Sequence, residues 1–141
     1  MTREEIARFF THRLVAWGDR DAAALSADHA DDCVVESPTH GRLTSRDAIR
    51  HVYTTWFDAF PDLKFFQDDL LVEGDRAALF FTSTGTHMKP FATSIPATGR
   101  QMTIRGVFVF TFRDGLIIHE KRYYDSTSLL MQIGVIKAKP M

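Results

Sequence analysis

The chain has 141 residues, of which 45% are apolar and 25% charged, with 12 phenylalanines and a formal charge of −1. That length suffices for one hydrophobic core and falls short of two ordinary domains, so residues 1–141 read as a single domain, and the phenylalanine excess points to a concave interior lined with aromatic rings. No run of Lys or Arg supplies the footprint that phosphate-backbone binding requires, which excludes nucleic acid as a partner.

Thr2 and Glu5 form a capping box, after which Ile6, Phe9, Phe10, Leu14 and Trp17 recur at helical spacing until Gly18. Charges at Arg3, Glu4, Glu5, Arg8, Arg13 and Asp19 break this stretch, so neither a signal peptide nor a membrane span fits, and a cytoplasmic protein with no membrane contact is expected. A short alanine-rich helix is predicted over residues 21–29. Cys33, Val34 and Val35 then read as a strand that Pro38 ends. Cys33 has no cysteine partner for a disulfide or a zinc site and reads as a small buried residue.

Thr44 or Ser45 caps a third helix, where Ile49, Val52, Tyr53, Trp56, Phe57 and Phe60 make one broad apolar stripe before Pro61. From Leu63 to Asp125 the chain reads as four strands with turns at Gly74, Gly99 and Gly115. The irregular stretch from Met88 to Gly99 is a flap candidate over a pocket mouth. Ser126 is a plausible cap for a terminal helix carrying Leu129, Leu130 and Ile133, with Gly134 at its end. Helices and one early strand followed by a long antiparallel meander imply an α+β domain, a curled sheet wrapped around a helix layer.

Asp114 and Gly115 signal a two-residue hairpin, so Arg113 should face Leu116, with each opposed pair summing to 229. That register groups Ile104, Gly106, Phe108, Phe110 and Phe112 with Ile117, His119, Lys121, Tyr123 and Asp125 on the concave face. Arg105, Val107, Val109 and Thr111 fall with Ile118, Glu120, Arg122 and Tyr124 on the other face. A bulge would swap the faces beyond it. The outer face is too apolar for a fully wet surface, which predicts a homodimer through the sheet, the alternative being an ordinary solvated face.

Four stretches then stand out together. They are Phe60, Pro61, Asp62 and Leu63; Gly85, Thr86 and His87; Pro96, Ala97, Thr98, Gly99 and Arg100; and Asp114 and Gly115 followed by Asp125, Leu129, Leu130, Gln132, Ile133 and Gly134. In this order they resemble the SnoaL-like polyketide cyclase family, also called predicted ester cyclases, of the nuclear transport factor 2-like (ketosteroid isomerase-like, cystatin-like) superfamily. The resemblance spans nearly the whole chain and implies a cone-shaped, mixed but mostly antiparallel sheet wrapped around three helices. It also implies one carboxylate at the end of the last strand that moves a proton on a carbon acid without metal or organic cofactor, a position matched by Asp125. Two departures are visible: Lys121 stands where the family commonly has tryptophan, and the stretch from Val107 to Phe112 lacks the histidine that assists the aspartate in polyketide cyclases.

A free aspartate, with a pKa near 3.9, is a poor base for a carbon acid, and an aromatic pocket would strengthen it by disfavouring its charge. Lys121 and the start of the terminal helix would oppose that, so Asp125 reads either as the catalytic base or as a helix cap and lysine partner. Tyr123 and His119 are the candidate donors to an enolate, and His87 could help from beside the flap. Trp56, Phe60, Phe108, Phe110 and Lys121 are the candidate substrate contacts, while Glu36 and His40 carry weaker signals. The six histidines show no metal-ligand spacing, so no metal and no cofactor is expected. The function implied is a cyclase or isomerase acting on a small apolar, polyketide-like carbonyl compound. The alternative is a non-catalytic binding or regulatory domain, and epoxide opening is disfavoured because Arg105 should lie on the face opposite Asp125.

Overall fold

The computed structural model describes residues 1–91, 95–137 and 139. The elements run α1 (Arg3–Gly18), α2 (Ala22–Ala27), β1 (His29–Ser37), β2 (Gly41–Leu43), α3 (Arg46–Ala59), β3 (Lys64–Glu73), β4 (Arg76–Thr86), β5 (Gln101–Arg113), β6 (Leu116–Tyr124) and α4 (Ser126–Gln132). The six strands form one sheet in the order β2-β1-β6-β5-β4-β3. Only β1 and β6 pair in parallel, and every other neighbouring pair is antiparallel. The strand β2, three residues folded back on β1, was too short to leave a sequence pattern. The α+β cone expected from the sequence is the architecture found.

Helix starts follow local chemistry. Thr2 and Glu5 close the capping box on α1, and Ser45 accepts the amide of Ala48 at the start of α3. Asp125, rather than Ser126, caps α4 by accepting the amide of Ser128 at 3.1 Å. The whole predicted stripe of α3 is buried, from Ile49 to Phe60. On α1 the inward spacing is Ile6, Phe10, Arg13 and Trp17, so a charged residue occupies a core position that the apolar pattern assigned to Leu14.

The β5–β6 hairpin decides which side chains enter the cone. Asp114 and Gly115 both have positive φ, 52° and 79°, as a two-residue primed turn requires. Arg113 pairs with Leu116 and Phe112 with Ile117, in the predicted register. The register then shifts: Thr111 pairs with His119, leaving Ile118 as an extra residue on β6. Because strand side chains alternate, this bulge reverses every later face of β6. Ile104, Phe108, Phe110 and Phe112 stay inside as expected, but opposite them stand Glu120, Arg122 and Tyr124. His119, Lys121 and Tyr123 turn outward, correcting the concave placement read from the unbulged hairpin. Gly106 thus faces Tyr124, and a Cβ there would clash with the carbonyl oxygen of Tyr123.

Candidate functional site in the cone

The cone interior is built from a buried ionic cluster and an aromatic cavity beside it. Glu120, fully buried, accepts from Nε of Arg122 at 2.5 Å and lies 3.0 Å from Nε2 of His29, which is also fully buried. Arg122 and Arg13 each point one amino group at the hydroxyl of Tyr53, at 2.9 and 2.8 Å. Arg13 also donates to the carbonyl of Leu25 at 3.0 Å and to Asp28 at 2.9 Å. Burial alone would neutralise Glu120, yet the charge of Arg122, the hydrogen bond from His29 and the charge of Arg13 outweigh it and hold the carboxyl far below the usual range. The same attraction holds the Arg122 guanidinium firmly charged against its own burial.

Next to this cluster lies a narrow cavity of about 30 Å³. Its walls are Trp17, Trp56, Phe65, Phe81 and Phe108, with Leu63 and Ile104. Trp17 stacks on Phe65 at 4.2 Å, Phe65 stacks on Phe81 at 5.1 Å, and Phe108 lies 4.4 Å from Phe81. Three polar residues line it, namely Ser83, Arg122 and Tyr124. The hydroxyl of Ser83 is committed to the carbonyl of Lys64 at 2.9 Å. Arg122 sits over the rings of Tyr53 and Phe108, at 5.0 and 5.2 Å, and among the described residues its Nη1 makes no hydrogen bond. At that volume the slot holds about one water molecule, and a small, mostly apolar ligand carrying an oxygen enters it only if the surrounding rings move apart.

At the cavity edge, the Tyr124 hydroxyl lies 2.6 Å from Oγ1 of Thr39, and that oxygen lies 2.8 Å from Nδ1 of His40. The His40 ring packs near Trp56 and Phe91, with centroids 6.4 and 5.7 Å away. Phe91 is buried against Trp56 and Phe60, and it exchanges backbone hydrogen bonds with Ile95. These two residues are the shoulders of the predicted flap, whose residues 92–94 lie outside the described residues. Burial, then Arg122 and His51, lower the pKa of His40 and keep its ring neutral near pH 7.

The sequence candidates divide between inside and outside. Trp56 and Phe108 line the cavity, Phe60 backs Trp56 at 5.7 Å, and Phe110 lies deeper, 4.9 Å from Phe10. His87, placed beside the flap by the sequence, is fully buried, with Nδ1 3.0 Å from Oγ1 of Thr98 and its ring 5.5 Å from Phe60. His119 lies outside the cone, 2.8 Å from Glu36. Lys121 and Tyr123 are exposed on the outer face. Asp125 is exposed as the α4 cap and lines a shallow outer groove with Thr103, Ile104, Arg105 and Ser128. Arg105 was expected on the opposite face from Asp125; the strand ends before Asp125, and the turn into α4 brings the two to one groove.

Sequence reasoning missed Arg13, His29, Tyr53 in its polar role, Glu120 and Arg122. Two signals were available: Arg13 falls at inward spacing between Phe10 and Trp17, and Glu120 and Arg122 share one strand face two residues apart. Among the described residues no cluster of three or more His, Cys, Asp or Glu forms a metal-binding arrangement, and no helix is long and apolar enough to cross a membrane.

Comparison with known structures places this geometry in context. TsrD from Streptomyces laurentii superposes with a TM-score of 0.84 at 26% identity, over 96% of this chain and 99% of that one. AclR, a proposed hydroxylase from Streptomyces galilaeus, gives 0.83 at 25% identity, over 99% and 91%. IdmH, a proposed polyketide cyclase from Streptomyces antibioticus, shares the fold with a TM-score of 0.75 at 24% identity, over 91% and 97%. A comparison with curated protein sequences finds no match. The family model for SnoaL-like polyketide cyclases matches residues 6–133, so the four short motifs, the six-stranded cone and the aromatic interior converge, and the chain belongs to the SnoaL-like polyketide cyclase family.

Proposed function

We propose that this protein is a cyclase or isomerase that takes a small apolar, polyketide-like carbonyl compound into the cone and moves a proton on it. The observation that carries this reading is the aromatic cavity that Arg122 and Tyr124 line, Arg122 keeping one guanidinium nitrogen, Nη1, without a hydrogen bond among the described residues. A cation fixed by Glu120 and Tyr53 needs no reorganisation to stabilise an enolate oxygen, and it acts where water is largely excluded. The family membership and the relative described as a polyketide cyclase support the same class of substrate.

Asp125 is a poor fit for the base in this reading, because its carboxylate is solvated outside the cone and already accepts the amide of Ser128. A binding domain without chemistry is the second reading, favoured by the ionic cluster's internal pairing and by that cap role for Asp125.

The test is tryptophan fluorescence, since Trp17 and Trp56 both line the cavity. A bicyclic ketone such as 2-tetralone should quench it saturably, and Ser83→Leu, which fills the cavity from a buried wall position, should abolish the quenching while the far-ultraviolet spectrum is retained. Equal quenching in both proteins would place the ligand elsewhere and remove the basis of the proposal.

A further inference from the structure

Three hydroxyls and one imidazole join the tip of β1 to the cavity, and their donors and acceptors can be counted. Oγ of Ser37 accepts the backbone amides of Thr39 at 3.3 Å and His40 at 3.2 Å, and it lies 3.3 Å from Oγ1 of Thr39 and 3.5 Å from the Tyr124 hydroxyl. Oγ1 of Thr39 then has three neighbours and one hydrogen: Ser37, the Tyr124 hydroxyl at 2.6 Å and Nδ1 of His40 at 2.8 Å. In the tautomer of His40 whose Nδ1 carries the lone pair, Thr39 donates its hydrogen to that nitrogen and accepts from Tyr124. In that arrangement Tyr124 donates to Thr39 and keeps oxygen lone pairs free in the cavity wall it lines.

We propose that Tyr124, Thr39 and His40 form a proton relay in which the phenolic oxygen of Tyr124 touches the ligand and His40 is the final acceptor. The inference rests on the reading of the cone as the binding site for an enolisable carbonyl compound. A proton leaving the ligand binds to the Tyr124 oxygen as the phenol's own hydrogen passes to Thr39 and the threonine hydrogen passes to Nδ1 of His40. The ligand becomes an enolate beside Arg122, the imidazole becomes an imidazolium, and both hydroxyls are unchanged. The reverse transfer returns a proton to a different ligand atom and completes an isomerisation or ring closure. Tyr124 is the catalytic residue of this relay. Thr39 and His40 act through it.

The charged or titratable groups that face His40 are Arg122 and Tyr124 from β6 and His51 from α3. Arg122 opposes a lasting positive charge on His40, so the imidazolium is a transient that returns its proton. Nε2 of His40 is buried and has no hydrogen-bond partner among the described residues.

The experiment follows solvent deuterium uptake into 2-tetralone by proton NMR in deuterium oxide, with binding measured separately by tryptophan quenching. The unsubstituted protein should accelerate uptake. Tyr124→Phe and Thr39→Val should each slow it by at least about tenfold, with ligand affinity within about twofold. Thr39→Ser, which keeps the hydroxyl, should restore most of the rate. The rate should fall in acid as His40 becomes protonated, and His40→Gln should flatten that limb. Uptake by Thr39→Val and Tyr124→Phe at the original rate with tetralone bound would overturn the relay, as would binding without any acceleration by the unsubstituted protein; both results leave the binding reading intact. Absence of quenching at any concentration would remove the binding reading and the relay together.

Discussion

Replacing Glu120 by glutamine tests whether the ionic cluster organises the cone. The carboxylate is fully buried, and it takes a hydrogen bond from Arg122 at 2.5 Å and another from His29 at 3.0 Å. Hydrogen bonds to a charged group contribute about 1.5–3 kcal/mol each. Removing one partner of a buried pair costs about 3–5 kcal/mol, because the surviving cation is left uncompensated. Two bonds and two nearby guanidiniums therefore set the expected loss at about 3–5 kcal/mol for Glu120→Gln, or about 9–15 °C in Tm for a domain of this size. Urea denaturation at pH 7 measures the loss directly.

The pH dependence of that difference supplies a second check. The folded-state pKa of Glu120 is depressed, so its contribution is fully present above the unfolded value of about 4.3 and is lost as pH falls from there toward the folded value. The stability gap between the unsubstituted protein and the variant should thus be constant from pH 7 to 5 and narrow below about pH 4. A gap under about 1 kcal/mol at pH 7, or one that does not change in acid, would refute the reasoning.

Asp125→Asn should keep the α4 cap, because asparagine caps as well as aspartate; a loss of at most a few tenths of a kcal/mol by thermal melting and undiminished deuterium uptake are expected, whereas Asp125→Ala should cost about 1 kcal/mol. Gly106→Ala should destabilise the β5–β6 pairing by more than about 2 kcal/mol in urea, since the new methyl clashes with the Tyr123 backbone oxygen. Cys33 is buried and its thiol pKa is raised, by burial first and then by Glu120, so a thiol reagent should label it only as fast as the protein opens. We also propose that two copies pair through the outer sheet face, where Phe80, Val107 and Tyr123 stand side by side across three strands; Tyr123→Lys should shift sedimentation toward the monomer.

How much of this was legible follows from what each pattern encodes. The stripe on α3 was readable because six apolar residues at helical spacing can serve only one inward face, and all six are buried. The phenylalanines of β5 were readable for the same reason at period two. The interior face of β6 was not, because the bulge at Ile118 leaves no mark in composition: Ile117 and Ile118 are both apolar and either could be the inward residue. Arg13, Glu120 and Arg122 look like surface residues in isolation. Only pairing makes their burial affordable, and although Glu120 and Arg122 are two residues apart, the partners that complete the cluster, Tyr53 for Arg13 and His29 for Glu120, are distant in sequence and leave no local signal.

That one inserted residue also changes the meaning of Lys121, which stands where the family resemblance implied a tryptophan. Read without the bulge, the exchange puts an ammonium into an aromatic pocket, where it would alter substrate choice and hold Asp125 as an anion. With the bulge, Lys121 is exposed on the outer sheet, cross-strand from Val109 on one side and from Glu36 on the other. A tryptophan at that place would enlarge the apolar patch between the strands and leave the cavity walls untouched. Lys121 therefore bears on the character of the outer face, while the polar character of the cone is set by the alternate residues of the same strand, Glu120, Arg122 and Tyr124.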